Sequence, residues 1–127
     1  MSQSFRIVVI GAGETGSPLL RQLLAAAFVE VLGVADLDLN QPGIAIAKQH
    51  DVPTTRDFKE LLVKHGEAVD IVIDVTGAAK VREALRNHMV ETRNTHTLIL
   101  HERIVLLMMS LTAGRLVTGK HSEAEKY

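Results

Sequence analysis

The chain contains no cysteine and no tryptophan, and only 3% of its residues are aromatic. Without thiols there can be no disulfide, no thiol redox chemistry and no cysteine zinc site. So few rings leave little from which to build a base-stacking platform for single-stranded nucleic acid, and the core must be aliphatic. Excess charge of one sign is also missing: 14 Lys and Arg stand against 15 Asp and Glu, a net charge of −1, with no long run of either. Such a balance offers no footprint for a phosphate backbone or an anionic membrane, so nucleic acid is not an expected partner. No uninterrupted apolar stretch approaches the ~20 residues of a membrane helix, the run Ile104 to Met109 included, and no membrane insertion is expected. The start MSQSFRIVVIGAG has neither a basic n-region, an apolar h-region nor a cleavage site, so a cytoplasmic location is the expectation.

What the chain does have is 127 residues, 46% of them apolar, enough for one domain around one core. Phe5 to Ile10 is a β-branched apolar run ending at a glycine, the pattern of a strand buried on both faces of a parallel sheet. Leu20, Leu23, Leu24 and Ala27 then fall on one helical face, with Pro18 in the first turn. Val29 to Ala35 reads as a second strand, Gly43 to His50 as a short helix, and Val52 to Thr55 as a weak strand that its proline assigns to an edge. Asp57 or Thr55 can cap a third helix carrying Phe58, Leu61, Leu62 and His65, which Gly66 stops. Val69 to Val75 is a fourth strand, Val81, Ala84, Leu85 and His88 mark a fourth helix, and Thr95 to Leu100 is a fifth strand. This alternation predicts an α/β fold, a doubly wound parallel sheet in order 3-2-1-4-5 followed by an apolar C-terminal helix. Residues 1–114 make up the domain, and 115–127 form a polar tail expected to fray.

Gly11-Ala12-Gly13-Glu14-Thr15-Gly16 is G-x-G-x-x-G, which alone is a weak signal. Here it follows a buried strand, opens a helix, and precedes by about 25 residues an acid at the end of the second strand, Asp36. In such a loop Gly11 permits the tight turn, Gly13 lets backbone N–H groups approach a pyrophosphate, and Gly16 allows helix and strand to pack closely. The helix N-terminus adds unpaired donors and a positive dipole end, and the Thr15 hydroxyl a further hydrogen bond. Asp36 suits the ribose hydroxyls of NAD. No arginine in the next ten residues waits for a 2′-phosphate, so NADP is the less favoured cofactor. Asp38 competes for the role of Asp36, and Glu14 must point to solvent if it is not to repel the pyrophosphate.

The segments VVIGAGETG, VLGVADLD, GIAIAKQHDVPTT and VDIVIDVTG together resemble the NAD(P)-binding Rossmann superfamily, over residues 5 to about 102. The familiar relatives are the N-terminal domains of glucose-fructose oxidoreductase-like and homoserine dehydrogenase-like enzymes. That resemblance implies that Thr76 and Gly77, at the end of the fourth strand, line the cofactor beside its nicotinamide. It also implies a catalytic lysine after the fifth strand, where this chain has Glu102-Arg103-Ile104. An arginine does not readily give up a proton near neutral pH, and 127 residues leave no room for a substrate-binding half. The same segments also resemble the Rossmann-type N-terminal module of some bacterial sensor kinases.

Two functions therefore stand, the first as the leading reading and the second as its alternative. In the first, the domain senses NAD(H) and passes its bound state through a C-terminal helix, around Ile104 to Leu111, whose second apolar face meets a homodimer partner or a further domain. In the second, the chain is the nucleotide-binding domain of an NAD-dependent oxidoreductase completed elsewhere. The six histidines are scattered without ligand spacing, so no metal is expected, and the absence of a G-x-S-x-G elbow argues against hydrolysis. His96 and His101 flank the fifth strand near the cleft, with no role assigned.

Overall fold

The computed structural model describes residues 4–118. Five parallel strands, β1 (Phe5–Ile10), β2 (Val29–Ala35), β3 (Thr54–Thr55), β4 (Ile71–Asp74) and β5 (Leu98–His101), form one sheet in the expected order β3-β2-β1-β4-β5. Between them run α1 (Gly16–Ala25), α2 (Pro42–Gln49), α3 (Phe58–His65) and α4 (Ala79–Thr92), and α5 (Glu102–Ala113) follows β5.

Alternation along the central strand divides the core. Ile7 and Val9 point to one face, where they pack with Leu20 of α1, Ile44 and Ala47 of α2 and Val105 of α5. Val8 and Ile10 point to the other, against Leu61 and Leu62 of α3 and Leu85 of α4. Covering both faces is what a continuously apolar strand requires. On the α3 face the fit is close, since a Cβ at Gly33 of β2 would lie 2.4 Å from Leu61 Cδ2.

Local chemistry sets the element ends. The Asp57 carboxylate accepts from Lys59 N at 3.0 Å and so caps α3, while Thr55 Oγ1 accepts from Asp57 N ahead of the helix, so of the two candidates Asp57 is the cap. Two expectations are corrected. Ala27 is not on the buried face of α1: the helix ends at Ala25, Ala26 turns extended, and Ala27 is exposed as the chain swings into β2. The fifth strand does not begin at Thr95, because Asn94 Oδ1 accepts from both His96 N and Thr97 N and ties 95–97 into a turn. Thr97 is buried there, its hydroxyl donating to Val69 O at 2.6 Å.

Of α5 only Val105 is fully buried, while Ile104, Leu107, Met108 and Leu111 are exposed. The first residues of the expected tail turn back on this helix, with Val117 N donating to Ser110 Oγ at 2.8 Å. The remainder of the tail, 119–127, lies outside the described residues. No described helix is long and apolar enough to cross a membrane.

Candidate functional site

At the carboxyl ends of β1, β2 and β4 lies a cleft of about 490 Å³, where a doubly wound sheet reverses its strand order. Its floor is the glycine loop. Gly11 takes φ +107, a conformation that L side chains rarely adopt. A Cβ on Gly16 would sit 2.0 Å from the Gly11 carbonyl oxygen, so α1 can start this close to the loop only with glycine there. At Gly13 an added Cβ would meet nothing within 4 Å but the end of the Gln41 side chain, so its cleft-facing side is open.

Gly11, Gly13, Glu14, Thr15, Gly16, Asp36 and Thr76 all line this cleft, and Glu14 is exposed. Two members of the expected set do not line it. Ala12 is buried, and its N–H donates to Asp36 Oδ2 at 2.8 Å. Gly77 follows the cleft-lining Thr76 and turns the chain toward α4 at φ +67.

Thr15 is 7% exposed, and its hydroxyl is buried with no hydrogen-bond partner among the described residues. It stands immediately before the first turn of α1 without capping that helix. A donor stripped of water and given no partner is costly unless something else fills the place. Asp36 is half-buried, and its second oxygen accepts from Asp38 N at 2.9 Å, so the carboxylate braces the glycine loop on one side and the β2 exit on the other. Its rival Asp38 is exposed and turned away to Asn40 N.

Three parts of the site were not legible in sequence. Gln41 reaches the glycine loop from the start of α2. Arg56 lines the same cleft as Asp36 although 20 residues separate them, because Ala35 pairs with Thr55 and Asp36 N donates to Thr55 O at 3.0 Å. A search limited to the ten residues after Asp36 could not find it, whereas listing the residue that leaves each neighbouring strand would have.

The third part is a buried carboxylate at the end of β4. Asp74 is 2% exposed; its Oδ1 accepts from Thr76 N (3.0 Å) and Thr76 Oγ1 (2.7 Å), and its Oδ2 lies 3.0 Å from His101 Nδ1. Asp74 and His101 are directly paired across β4 and β5. An ionised carboxylate only accepts, so the His101 tautomer that pairs with it is the one with the proton on Nδ1. This fixes the orientation of Thr76, which lines the cleft, and of His101, which lines a separate pocket together with Arg82 and Arg86 of α4. No group of three potential metal ligands occurs among the described residues.

Residues 11–99 match the family described as homoserine dehydrogenase, NAD binding domain. Acetaldehyde dehydrogenase of Burkholderia pseudomallei is 30% identical over 78 residues, 61% of this chain and 26% of the relative. Acetaldehyde dehydrogenase 2 of a Nocardioides species is 36% identical over 76 residues, 58% and 24% of the two chains. The chain thus spans about a quarter of the length of these curated relatives. Among solved structures, GenD2 from gentamicin A biosynthesis in complex with NAD superimposes with TM-score 0.60 at 23% identity, covering 78% of this chain and 27% of that one. Homoserine dehydrogenase of S. aureus superimposes with TM-score 0.58 at 15% identity, covering 88% and 30%. At these identities the two structures show a common fold.

Proposed function

Because the chain belongs to the family of homoserine dehydrogenase NAD-binding domains, we propose that it is the dinucleotide-binding part of a dehydrogenase-type oxidoreductase. Its substrate-binding half comes from a further domain or a partner chain. The observation that carries this reading is the buried, unpartnered Thr15 hydroxyl at the start of α1, above a glycine loop that is open at Gly13. In this reading the pyrophosphate rests on the Gly13 to Gly16 backbone and takes the Thr15 hydrogen bond. The ribose hydroxyls of the adenosine donate to Asp36, and the nicotinamide lies toward Thr76. NAD supplies a hydride acceptor; the chain supplies the binding, orientation and electrostatics around it.

The sensing function, the leading expectation from the sequence, has less support than this alternative to it. It rests on an intact glycine loop without a substrate-binding half and on the second apolar face of α5, and both suit a docked catalytic domain equally well. The named relatives are dehydrogenases, so we read Ile104, Leu107, Met108 and Leu111 as the face against which the remaining half, or a second copy, packs. Calorimetric titration of the chain with NAD, NADH, NADP and NADPH tests the reading. Micromolar binding of NAD or NADH is expected, and no binding of any of the four refutes it.

A further inference from the structure

We propose that the groove between α4 and β5 is a second ligand site, which takes the phosphate group of a small phosphate monoester on Arg82, Arg86 and His101. It lies outside the nucleotide cleft and does not rest on the dinucleotide reading.

The groove has a volume of about 340 Å³ and shares no lining residue with the cleft. Arg82 and Arg86 stand four residues apart, on one face of α4, and His101, the last residue of β5, lines the same groove. Among the described residues three basic side chains and no carboxylate line it, in a chain whose acids and bases nearly balance. Two solvated arginines on a helix are ordinary, and the side chain that points to a ligand is His101. Its Nδ1 lies 3.0 Å from Oδ2 of Asp74, a carboxylate only 2% exposed. Thr76 N and Thr76 Oγ1 hold the other oxygen of that carboxylate at 3.0 and 2.7 Å, so neither Asp74 nor the ring can turn. Burying a carboxylate is costly, and nothing in the nucleotide reading uses a histidine held this way. With Nδ1 on Asp74, the free edge of the ring is Nε2, which makes no hydrogen bond among the described residues on a side chain 32% exposed. Once protonated, that edge donates to an anion.

One guanidinium satisfies a planar carboxylate through two parallel bonds. A phosphate dianion has three oxygens to be served, which suits two guanidinium groups on consecutive turns of α4 and a ring from the neighbouring strand. The rest of the wall is largely apolar, with Met89, Leu98 and Ile99 beyond the basic groups, and Leu98 is exposed. An organic body attached to the phosphate covers that wall, as in ligand pockets that combine apolar surface with a few convergent polar groups.

The test is NMR titration of the folded chain with phenyl phosphate, following the His101 ring and the backbone amides of Arg82 and Leu98. Saturable shifts at all three are expected. Arg82→Gln combined with Arg86→Gln should weaken binding by roughly tenfold or more, the factor carried by one charge-assisted hydrogen bond. Both side chains are exposed and form no ion pair among the described residues, so this variant should melt like the wild type and bind NADH equally well. Benzoate, the same ring with a carboxylate, should bind roughly tenfold more weakly or worse. No shift at about 10 mM phenyl phosphate overturns the inference, as does undiminished binding in the folded double variant. Benzoate binding as tightly as phenyl phosphate overturns the assignment to phosphate, and shifts confined to Gly13 through Gly16 place the anion on the glycine loop instead. Saturation at His101 in a chain that binds no nucleotide upholds this site while the dinucleotide reading fails alone.

Discussion

Thr15→Val replaces the orphaned hydroxyl with a methyl of nearly the same shape, and it should move stability and affinity in opposite directions. Without ligand, Thr15 Oγ1 is shielded from water and has no protein partner among the described residues. Such a group destabilises the fold by about 1–3 kcal/mol, and removing it returns that amount. With an unfolding entropy of about 2.1 cal/mol/K per residue, each kcal/mol recovered raises the melting temperature of a chain this size by about 4 °C. Even the lower figure is readily seen by circular dichroism. With ligand the sign reverses: a hydrogen bond to a charged phosphate oxygen contributes about 1.5–3 kcal/mol, so NADH should bind roughly ten- to hundredfold more weakly. Thermal melts without nucleotide and calorimetry with NADH read the two effects separately. A variant that melts at or below the wild-type temperature and binds NADH equally well would refute the assignment of this hydroxyl to a ligand.

The two glycine positions of the loop should separate folding from binding. Gly16→Ala drives its Cβ to 2.0 Å from a backbone oxygen and is expected to destabilise by about 1–3 kcal/mol, whereas Gly13→Ala meets only a flexible glutamine end. Gly13→Ala should therefore melt within about 3 °C of the wild type yet lose NADH affinity; a large drop in its melting temperature would contradict the open cradle. On the far side of the sheet, the Arg6 backbone N–H and the His96 ring hold the Asp70 carboxyl below its ordinary value of 3.8. A depressed carboxyl stabilises the fold above its unfolded pKa, and the gain disappears as pH falls through the native one. Urea denaturation should show the wild type more stable than Asp70→Asn at pH 6, with the gap closing below about pH 4; a gap independent of pH excludes the linkage. Finally, nitrogen NMR of His101 should find the proton on Nδ1 when the ring is neutral, and Asp74→Asn should weaken that preference. An Nε2-protonated ring in the wild type would show that Asp74 does not orient it.

Much of this was legible because it depends on near neighbours in the chain. β1 and β2 begin and end where their apolar runs do, since a strand buried on both faces needs an unbroken run and a glycine or polar stop. The glycine loop was readable for the same reason: the tight turn, the open cradle and the close helix contact each require a missing side chain at a fixed spacing. Boundaries set by side-chain bonds were harder. Asn94 binds two following amides and delays β5, and no hydrophobic pattern announces that. Ala27 fits the helical period of α1 but lies beyond the turn where the chain must enter β2.

From the sequence alone came the βαβ alternation, the strand order, the loop and the acid that accompanies it, because hydrophobic period and glycine spacing are properties of consecutive residues. Only the tertiary structure decided what faces that acid. Parallel pairing of β2 with β3 brings Arg56 beside Asp36, and pairing of β4 with β5 brings His101 to the buried Asp74. In a parallel sheet, residues 20 or 27 positions apart leave neighbouring strands at the same edge, and it is strand register, which no local pattern encodes, that makes them neighbours.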